Sequence, residues 1–116
     1  MATHQHIIDE LREPTRALRE AIPETWAGFA ALHSHAVADG AISGRLKELI
    51  ATAIAVAEGC DGCIAYHARA AARKGATEEE FAEMLGVALL MCGGPASIYG
   101  PRAFEAFREF QPSSSA

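Results

Sequence analysis

Two cysteines and a histidine lie close together in the middle of the chain, in the stretch EGCDGCIAYHARAAARKG, residues 58–75. Cys63 follows three residues after Cys60, and His67 follows four residues after Cys63. On a helix, this spacing brings the three side chains to one face. Cys60 would then stand at the first turn, where free backbone N–H groups and the helix dipole favour a thiolate, and His67 could take a proton from Cys63. The pattern indicates a redox dithiol or part of a metal site.

Two other interpretations compete with a redox dithiol. A single cysteine in an alanine-rich helix is usually a small buried hydrophobic residue, and we expect this for Cys92, which completes the apolar stripe of its own helix. A Cys-x-x-Cys pair with a histidine four residues later favours function instead. Zinc could bind Cys60, Cys63 and His67, with Cys92 as a fourth ligand. Structural zinc sites usually draw ligands from two separate knuckles, so we rank zinc second.

Composition narrows the class of protein. The chain has 116 residues, half of them apolar, and a formal net charge of -5. This length predicts one domain spanning residues 1–116. No basic patch is visible, which argues against nucleic acid or an anionic membrane as a partner. The start of the chain lacks a signal-peptide pattern, and the most apolar run, residues 49–57, is too short to span a bilayer. We therefore expect a cytoplasmic protein, and three cysteines in a reducing compartment argue against a structural disulfide framework.

Helical periodicity along the whole chain predicts an all-α bundle of about six helices. Residues 1–22 should form an N-terminal helical arm that Pro14 divides into two pieces, with His4 and His6 in a mobile start. Pro23 should open a second helix that ends near residues 39–40. This helix should turn three large side chains inward: Trp26, Phe29 and Leu32.

The third helix should begin after a Ser43 cap and run to Glu58. It is apolar nearly all round, so it should be buried on all sides, with Glu48 beside small residues where a neighbouring helix can exclude water. Its main stripe comprises Leu46, Leu49, Ile50, Ala53, Ile54 and Ala57, and the opposite face comprises Glu48, Thr52 and Ala55.

Turn and capping signals delimit the other helices. Asp61 should cap the fourth, which ends at Lys74-Gly75, and the Thr77–Glu80 capping box should open the fifth. The fifth helix should bury Phe81, Met84, Leu85, Ala88 and Cys92. The last helix, from Ala96 to about Phe110, should kink at Gly100-Pro101. Residues 111–116 should form a disordered tail.

Residues 47–95 resemble the carboxymuconolactone decarboxylase superfamily, and more closely its alkylhydroperoxidase D-like branch. That branch has a glutamate in a buried helix, a Cys-x-x-Cys motif twelve residues later, and a histidine four residues after the second cysteine. Glu48, Cys60, Cys63 and His67 fill these four positions. The Gly-Ala-Thr sequence at residues 75–77, with its following acidic residues, and the later Gly-Gly-Pro also match.

The resemblance implies a helical subunit of a homo-trimer or homo-hexamer, with its site near a subunit interface. It also implies a thiol peroxidase that reduces hydrogen peroxide or alkyl hydroperoxides without a cofactor or metal. Cys63 would attack the peroxide, Cys60 would close the disulfide, and Glu48 and His67 would relay protons. A lipoyl-bearing or thioredoxin-like dithiol would reduce the disulfide again.

One position departs from the family pattern. Peroxidases of this branch often carry a second histidine just before the second cysteine, where this chain has Gly62. The departure removes a proton donor and predicts a weaker relay or a different substrate. Glu58 is a competing base, ranked lower because it closes a helix. His33 and His35 are expected to be surface or packing residues.

Two alternative functions remain. The superfamily also includes lactone decarboxylases, which do not depend on a dithiol, so the presence of Cys60 and Cys63 counts against that activity. The other alternative is a non-enzymatic helical subunit, structural or metal-binding, that need show no loss of thiols with peroxide.

Overall fold

A computed structural model describes residues 3–112, which form six α-helices and no strand. This confirms the all-α class and the expected number of helices. No helix in that range is both long and apolar enough to cross a membrane. The helices are α1 (Thr3–Ala21), α2 (Pro23–Val37), α3 (Gly44–Glu58), α4 (Asp61–Arg73), α5 (Glu78–Cys92) and α6 (Gly94–Phe110).

The core forms where α4 packs against α3 and α6, and α5 packs against α6 and α3. Small side chains on α4 allow this close packing, since Ala65, Ala68 and Ala71 are completely buried. Phe81 of α5 and Phe107 of α6 stack with their ring centroids 4.3 Å apart. The helix that carries the two cysteines is therefore held on several sides by the chain itself.

The caps predicted from local sequence are confirmed at two helices. Ser43 Oγ accepts a hydrogen bond from the Leu46 N–H at the start of α3. Thr77 and Glu80 form the reciprocal capping box of α5. The predicted stripe of α5 also faces inward: Phe81, Leu85 and Ala88 are buried, and Met84 and Cys92 are partly buried against the core.

The prediction that Pro14 divides the first segment is wrong, because α1 continues through it. The helix is instead tied down at its start. The carboxylate of Glu109 on α6 accepts hydrogen bonds from the backbone N–H groups of His4 and Gln5, at 3.0 and 2.8 Å. A negative charge at this position satisfies free donors and complements the helix dipole.

The expectation of a mobile start at His4 is wrong for the same reason. His4 is buried, and its Nε2 lies 2.9 Å from Glu105 Oε1 on α6. His6 is exposed and pairs with Glu10 one turn along α1. The start of α1 is thus docked on the end of α6.

α2 begins at Pro23 as predicted, but it ends at Val37 and buries none of its residues. Phe29 and Leu32, expected to point inward, are 57% and 64% exposed, and Trp26 is half-buried. The physical reason is that α2 packs only lightly on the rest of the described chain, mainly against α1 and α3. Within one chain there is no core for its apolar face to join.

α3 spans its predicted length, but the prediction that it is buried on all sides is wrong for the single chain. Leu46, Ile50 and Ile54 of the expected main stripe are exposed. The face that carries Glu48 is the one packed inward, where α4 and α5 contact α3. Its buried residues are Gly44, Glu48, Leu49, Thr52, Ala55 and Val56.

α6 begins at Gly94, two residues before the predicted start, and remains helical through Gly100 and Pro101 to Phe110. Gln111 and Pro112 follow it outside any helix. The rest of the predicted disordered tail, residues 113–116, lies outside the described residues.

Candidate active site

Cys60 and Cys63 form a disulfide at the start of α4, with their Cα atoms 5.2 Å apart. Cys60 itself is the N-cap residue, and its Sγ accepts a hydrogen bond from the Cys63 N–H at 3.2 Å. The predicted cap, Asp61, is instead the first residue of the helix. Both sulfurs therefore lie at the positive end of the α4 dipole, which favours thiolates after reduction.

The turn that places Cys60 depends on Gly59. Gly59 ends α3 with a φ of 66°, a left-handed conformation that glycine adopts at little cost. A Cβ atom there would also come within 3.0 Å of the Tyr99 ring on α6. Backbone conformation and close packing thus both require glycine immediately before the dithiol.

Gly62, between the two cysteines, has a neighbour from a distant part of the chain. A Cβ atom at this position would lie 3.2 Å from Leu11 Cδ1 on α1. A histidine here would have to displace Leu11. The position where the family pattern has a second histidine is therefore one where Leu11 of α1 packs close to the turn between the two cysteines.

Glu48 and His67 form a buried polar pair next to this region. Glu48 is 1% exposed, which confirms its predicted burial, and its Oε1 lies 2.7 Å from His67 Nδ1. An ionised Glu48 accepts from Nδ1–H, so Nε2 is the ring nitrogen left to accept a proton. His67 lies one helical turn beyond Cys63 and lines the same cavity.

Lys74 is a third member of this group that the sequence did not reveal. Its Nζ lies 3.3 Å from Glu48 Oε2 and also 3.3 Å from the Val37 carbonyl oxygen at the end of α2. The buried carboxylate therefore has a partner on each oxygen, which offsets its desolvation. From the sequence alone, Lys74 is expected only to mark the end of α4. Its spacing from Cys63 and His67 on one face of α4 was the available signal.

The other candidate residues lie around this group. The His33 ring on α2 has its centroid 6.2 Å from that of His67, and it lines the cavity. His35 is exposed. Glu58 is exposed at the end of α3, whereas Glu48 contacts His67. Of the two carboxylates proposed as the base, only Glu48 is built into a hydrogen-bonded group with His67.

A cavity of about 1020 Å³ lies beside α4 and is lined by residues of α1, α2 and α4. Cys60, Cys63 and His67 line one wall. The α1 and α2 walls are largely apolar and include Leu11, Trp26 and Phe29. A small organic molecule can therefore reach the dithiol through a mostly apolar site.

The residues proposed for zinc are not gathered into one cluster. Within residues 3–112, no group of three or more His, Cys, Asp or Glu side chains is arranged to hold a metal ion. Cys92, the proposed fourth ligand, is partly buried against the core at the end of α5.

One solved structure and two further proteins are similar to this chain over most of its length. A crystal structure of an apo carboxymuconolactone decarboxylase family protein from Legionella pneumophila superposes with a TM-score of 0.93 at 40% identity, covering 97% of this chain and all of that one. An uncharacterized protein of Cupriavidus necator is 37% identical over 100 residues, 86% of this chain and 88% of its own. The protein named uncharacterized protein 4 in cox locus, from Paracoccus denitrificans, is 40% identical over 81 residues, 70% of this chain and 73% of its own.

The sequence model of one family covers most of the chain. It matches residues 23–109, which include α2 to α5 and nearly all of α6, together with both cysteines, Glu48 and His67. α1 precedes the match. The chain belongs to the carboxymuconolactone decarboxylase family.

Proposed function

We propose that this protein is a thiol-dependent peroxidase that reduces hydrogen peroxide or alkyl hydroperoxides. The observation that carries the proposal is the Cys60–Cys63 disulfide at the start of α4, close along the chain to a histidine hydrogen-bonded to a buried glutamate. The two cysteines are three residues apart, so the bond between them can open and form again within the first turn of α4. The imidazole and carboxylate supply the proton transfers that peroxide cleavage requires.

The reaction begins with the reduced dithiol. His67 Nε2 accepts the Cys63 proton, and the thiolate attacks one peroxide oxygen. The O–O bond breaks, Cys63 becomes a sulfenic acid, and the leaving alkoxide takes the proton held by His67 to depart as an alcohol or, from hydrogen peroxide, as water. Glu48 stabilises the imidazolium that forms between these two steps.

The second half-reaction regenerates the thiols. Cys60, as a thiolate, attacks the sulfenic sulfur of Cys63, and the hydroxyl group leaves as water once protonated. An external dithiol, lipoyl-bearing or thioredoxin-like, then donates two electrons and two protons to the disulfide. No cofactor or metal takes part in this cycle.

The subunits of this peroxidase are proposed to assemble as a homo-trimer or homo-hexamer. The support is the unusual amount of apolar surface that α2 and α3 leave exposed in one chain, including Phe29, Leu32, Ile50 and Ile54. Such surface is typical of chains that bury it against other subunits.

The experiment that tests the proposal counts free thiols before and after one equivalent of peroxide is added to the reduced protein. We expect three thiols to fall to one, with Cys92 remaining. Three thiols after treatment would contradict a peroxidase and would favour a lactone decarboxylase or a non-enzymatic subunit. Stoichiometric zinc in the same sample, together with thiols that resist peroxide, would favour the metal site.

A further inference from the structure

The cavity beside the dithiol is positively charged although the protein carries a net charge of -5. Arg69, Arg73 and Lys74 line it, against a single carboxylate, Glu10. That carboxylate is paired with His6 at 3.0 Å, and Lys74 is engaged with Glu48. Within residues 3–112, neither Arg69 nor Arg73 forms an ion pair.

Arg69 is held in conditions that disfavour an isolated cation. It is half-buried, and the cation–π contact with the Tyr66 ring, whose centre lies 5.4 Å away, and the nearby charge of Asp9 offset this only in part. Burial, and then the positive charge of Arg73, lower the pKa of Arg69 from its usual value. An anion bound between the two guanidinium groups would relieve both effects. Arginine also recognises a carboxylate through two parallel hydrogen bonds.

The rest of the cavity suits a hydrocarbon. Leu11 on α1 and Trp26 and Phe29 on α2 face the same space as the two arginines. A pocket with apolar walls and a few convergent polar groups typically fixes one end of a largely apolar ligand. The positive charge and the apolar walls of the cavity together suit a ligand that has a carboxylate at one end and a hydrocarbon chain.

We propose that the substrate is an apolar hydroperoxide that carries a carboxylate, such as a fatty-acid hydroperoxide. Arg69 and Arg73 bind the carboxylate, the hydrocarbon lies against Leu11, Trp26 and Phe29, and the peroxide reaches Cys63. This inference rests on the proposed peroxidase function and names the substrate of that same site.

The spacing along α4 fits such a molecule. Arg69 and Arg73 follow Cys63 by six and ten residues, which corresponds to about 9 and 15 Å along the helix axis. A medium or long chain can span that interval with its carboxylate at one end. Hydrogen peroxide cannot, so it gains nothing from the two arginines.

The first test measures the second-order rate constant for oxidation of the reduced protein in a single turnover, which needs no reductant. The substrates are linoleic acid hydroperoxide, its methyl ester and hydrogen peroxide. We expect the acid to react at least about ten-fold faster than the ester, the usual scale for losing a charge-assisted hydrogen bond. Equal rates for acid and ester would overturn the inference.

Variants then test which residues cause the preference for the acid over its methyl ester. Arg69→Gln and Arg73→Gln should each lower the rate with the acid about ten-fold and leave the ester and hydrogen peroxide within two-fold. Arg19→Gln, which removes the same charge from the last turn of α1, is the matched control and should change none of the three. An equal loss with acid and ester, or no loss with the acid, would contradict a carboxylate site.

A binding measurement separates this inference from the peroxidase proposal. Trp26 is the only tryptophan in the chain and lines the cavity, so its fluorescence reports occupancy. Decanoate should change that fluorescence at concentrations where decanol does not, and Arg69→Gln should abolish the difference. Peroxide consumption without decanoate binding would sink the carboxylate site alone. Decanoate binding without peroxide consumption would sink the peroxidase and leave the anion site in place.

Discussion

α4 and α2 line the same cavity, but the chain holds them in opposite ways. Five residues of α4 are buried, and the helix packs closely against α3 and α6. No residue of α2 is buried, although it carries Trp26, Phe29 and Leu32. Whether a helix is buried therefore depends here on the helices packed around it rather than on its hydrophobic composition. A single chain holds α4, which begins at the dithiol, firmly in place, whereas α2 on the opposite side of the cavity has little support.

The largest effect is expected on the α4 wall. Cys63→Ser should abolish reaction with peroxide, because the attacking sulfur is gone. Cys60→Ser should react once and stall as a sulfenic acid, since no resolving thiol remains. Mass spectrometry after labelling with dimedone measures this, and Cys92→Ser, which should behave as the unmodified protein, is the control.

Cys60 is an alternative candidate for the attacking cysteine, because it caps α4. Its sulfur accepts a backbone hydrogen bond at the start of the helix, which stabilises a thiolate. Dimedone labelling of Cys60 in the Cys63→Ser protein would mean that the two roles must be exchanged.

The second effect concerns the α2 wall. We expect the 12.3 kDa chain to sediment as three or six subunits. The double variant Phe29→Glu/Leu32→Glu should weaken assembly by at least about 10²-fold, because each lost apolar contact costs about 1.5–3 kcal/mol. Its helical content by circular dichroism should persist, since both side chains are exposed within one chain.

Ala31→Glu is the control for this variant. Ala31 lies on α2 but points away from the side shared by Phe29 and Leu32, as a helical wheel shows. A native protein that sediments as a monomer at micromolar concentration would contradict the assembly and leave α2 exposed in solution.

The third effect returns to α4. His67→Gln should slow oxidation of Cys63 at pH 7 by about 10²-fold, the usual scale for losing a general base. Part of the rate should return at higher pH, where the thiol ionises without help. Stopped-flow kinetics across pH measure both, with His35→Gln on α2 as the control. An unchanged rate at pH 7 would remove His67 from the mechanism.

The smallest effect concerns Lys74, which joins the end of α4 to the end of α2. Lys74 Nζ reaches both Glu48 and the Val37 carbonyl oxygen, whereas Lys47 Nζ reaches only a backbone carbonyl oxygen, that of Ala38. Lys74→Met should lower the rate about five-fold and shift its pH profile, since a net hydrogen bond contributes about 1 kcal/mol. Lys47→Met should leave both unchanged. Equal losses in the two variants would mean that the lysines only fasten the end of α2.

Local chemistry made much of this structure predictable. The capping box of α5, the Ser43 cap of α3 and the glycine after α4 depend on a few adjacent residues, and each was placed correctly. The candidate site residues on α4 followed from the spacing of the motif, and the family pattern added Glu48. The 2.7 Å contact between Glu48 and His67 is consistent with that pattern.

Predictions that depended on the surroundings were wrong. α3 is apolar nearly all round, so its sequence offers no polar face to mark the outside, and the predicted stripe is partly exposed. For α2, periodicity indicated an apolar face but not whether one chain could cover it. Lys74 was missed because its contact with Glu48 crosses 26 residues of sequence and joins two helices. Pro14 does not break α1, which packs against α4 and is anchored to α6 at its start.

Because the chain is synthesised from its first residue, that anchor forms late. His4 is bonded to Glu105, 101 residues later, so the contact that fixes the start of α1 forms only after the end of α6 has been made. At about 5–20 residues per second, α1 waits about 5–20 s. During that time α1 can pack against α4, but its first turn lacks the Glu109 carboxylate that accepts from the His4 and Gln5 N–H groups. The α1 wall beside the dithiol can therefore form before the first turn of α1 is fixed.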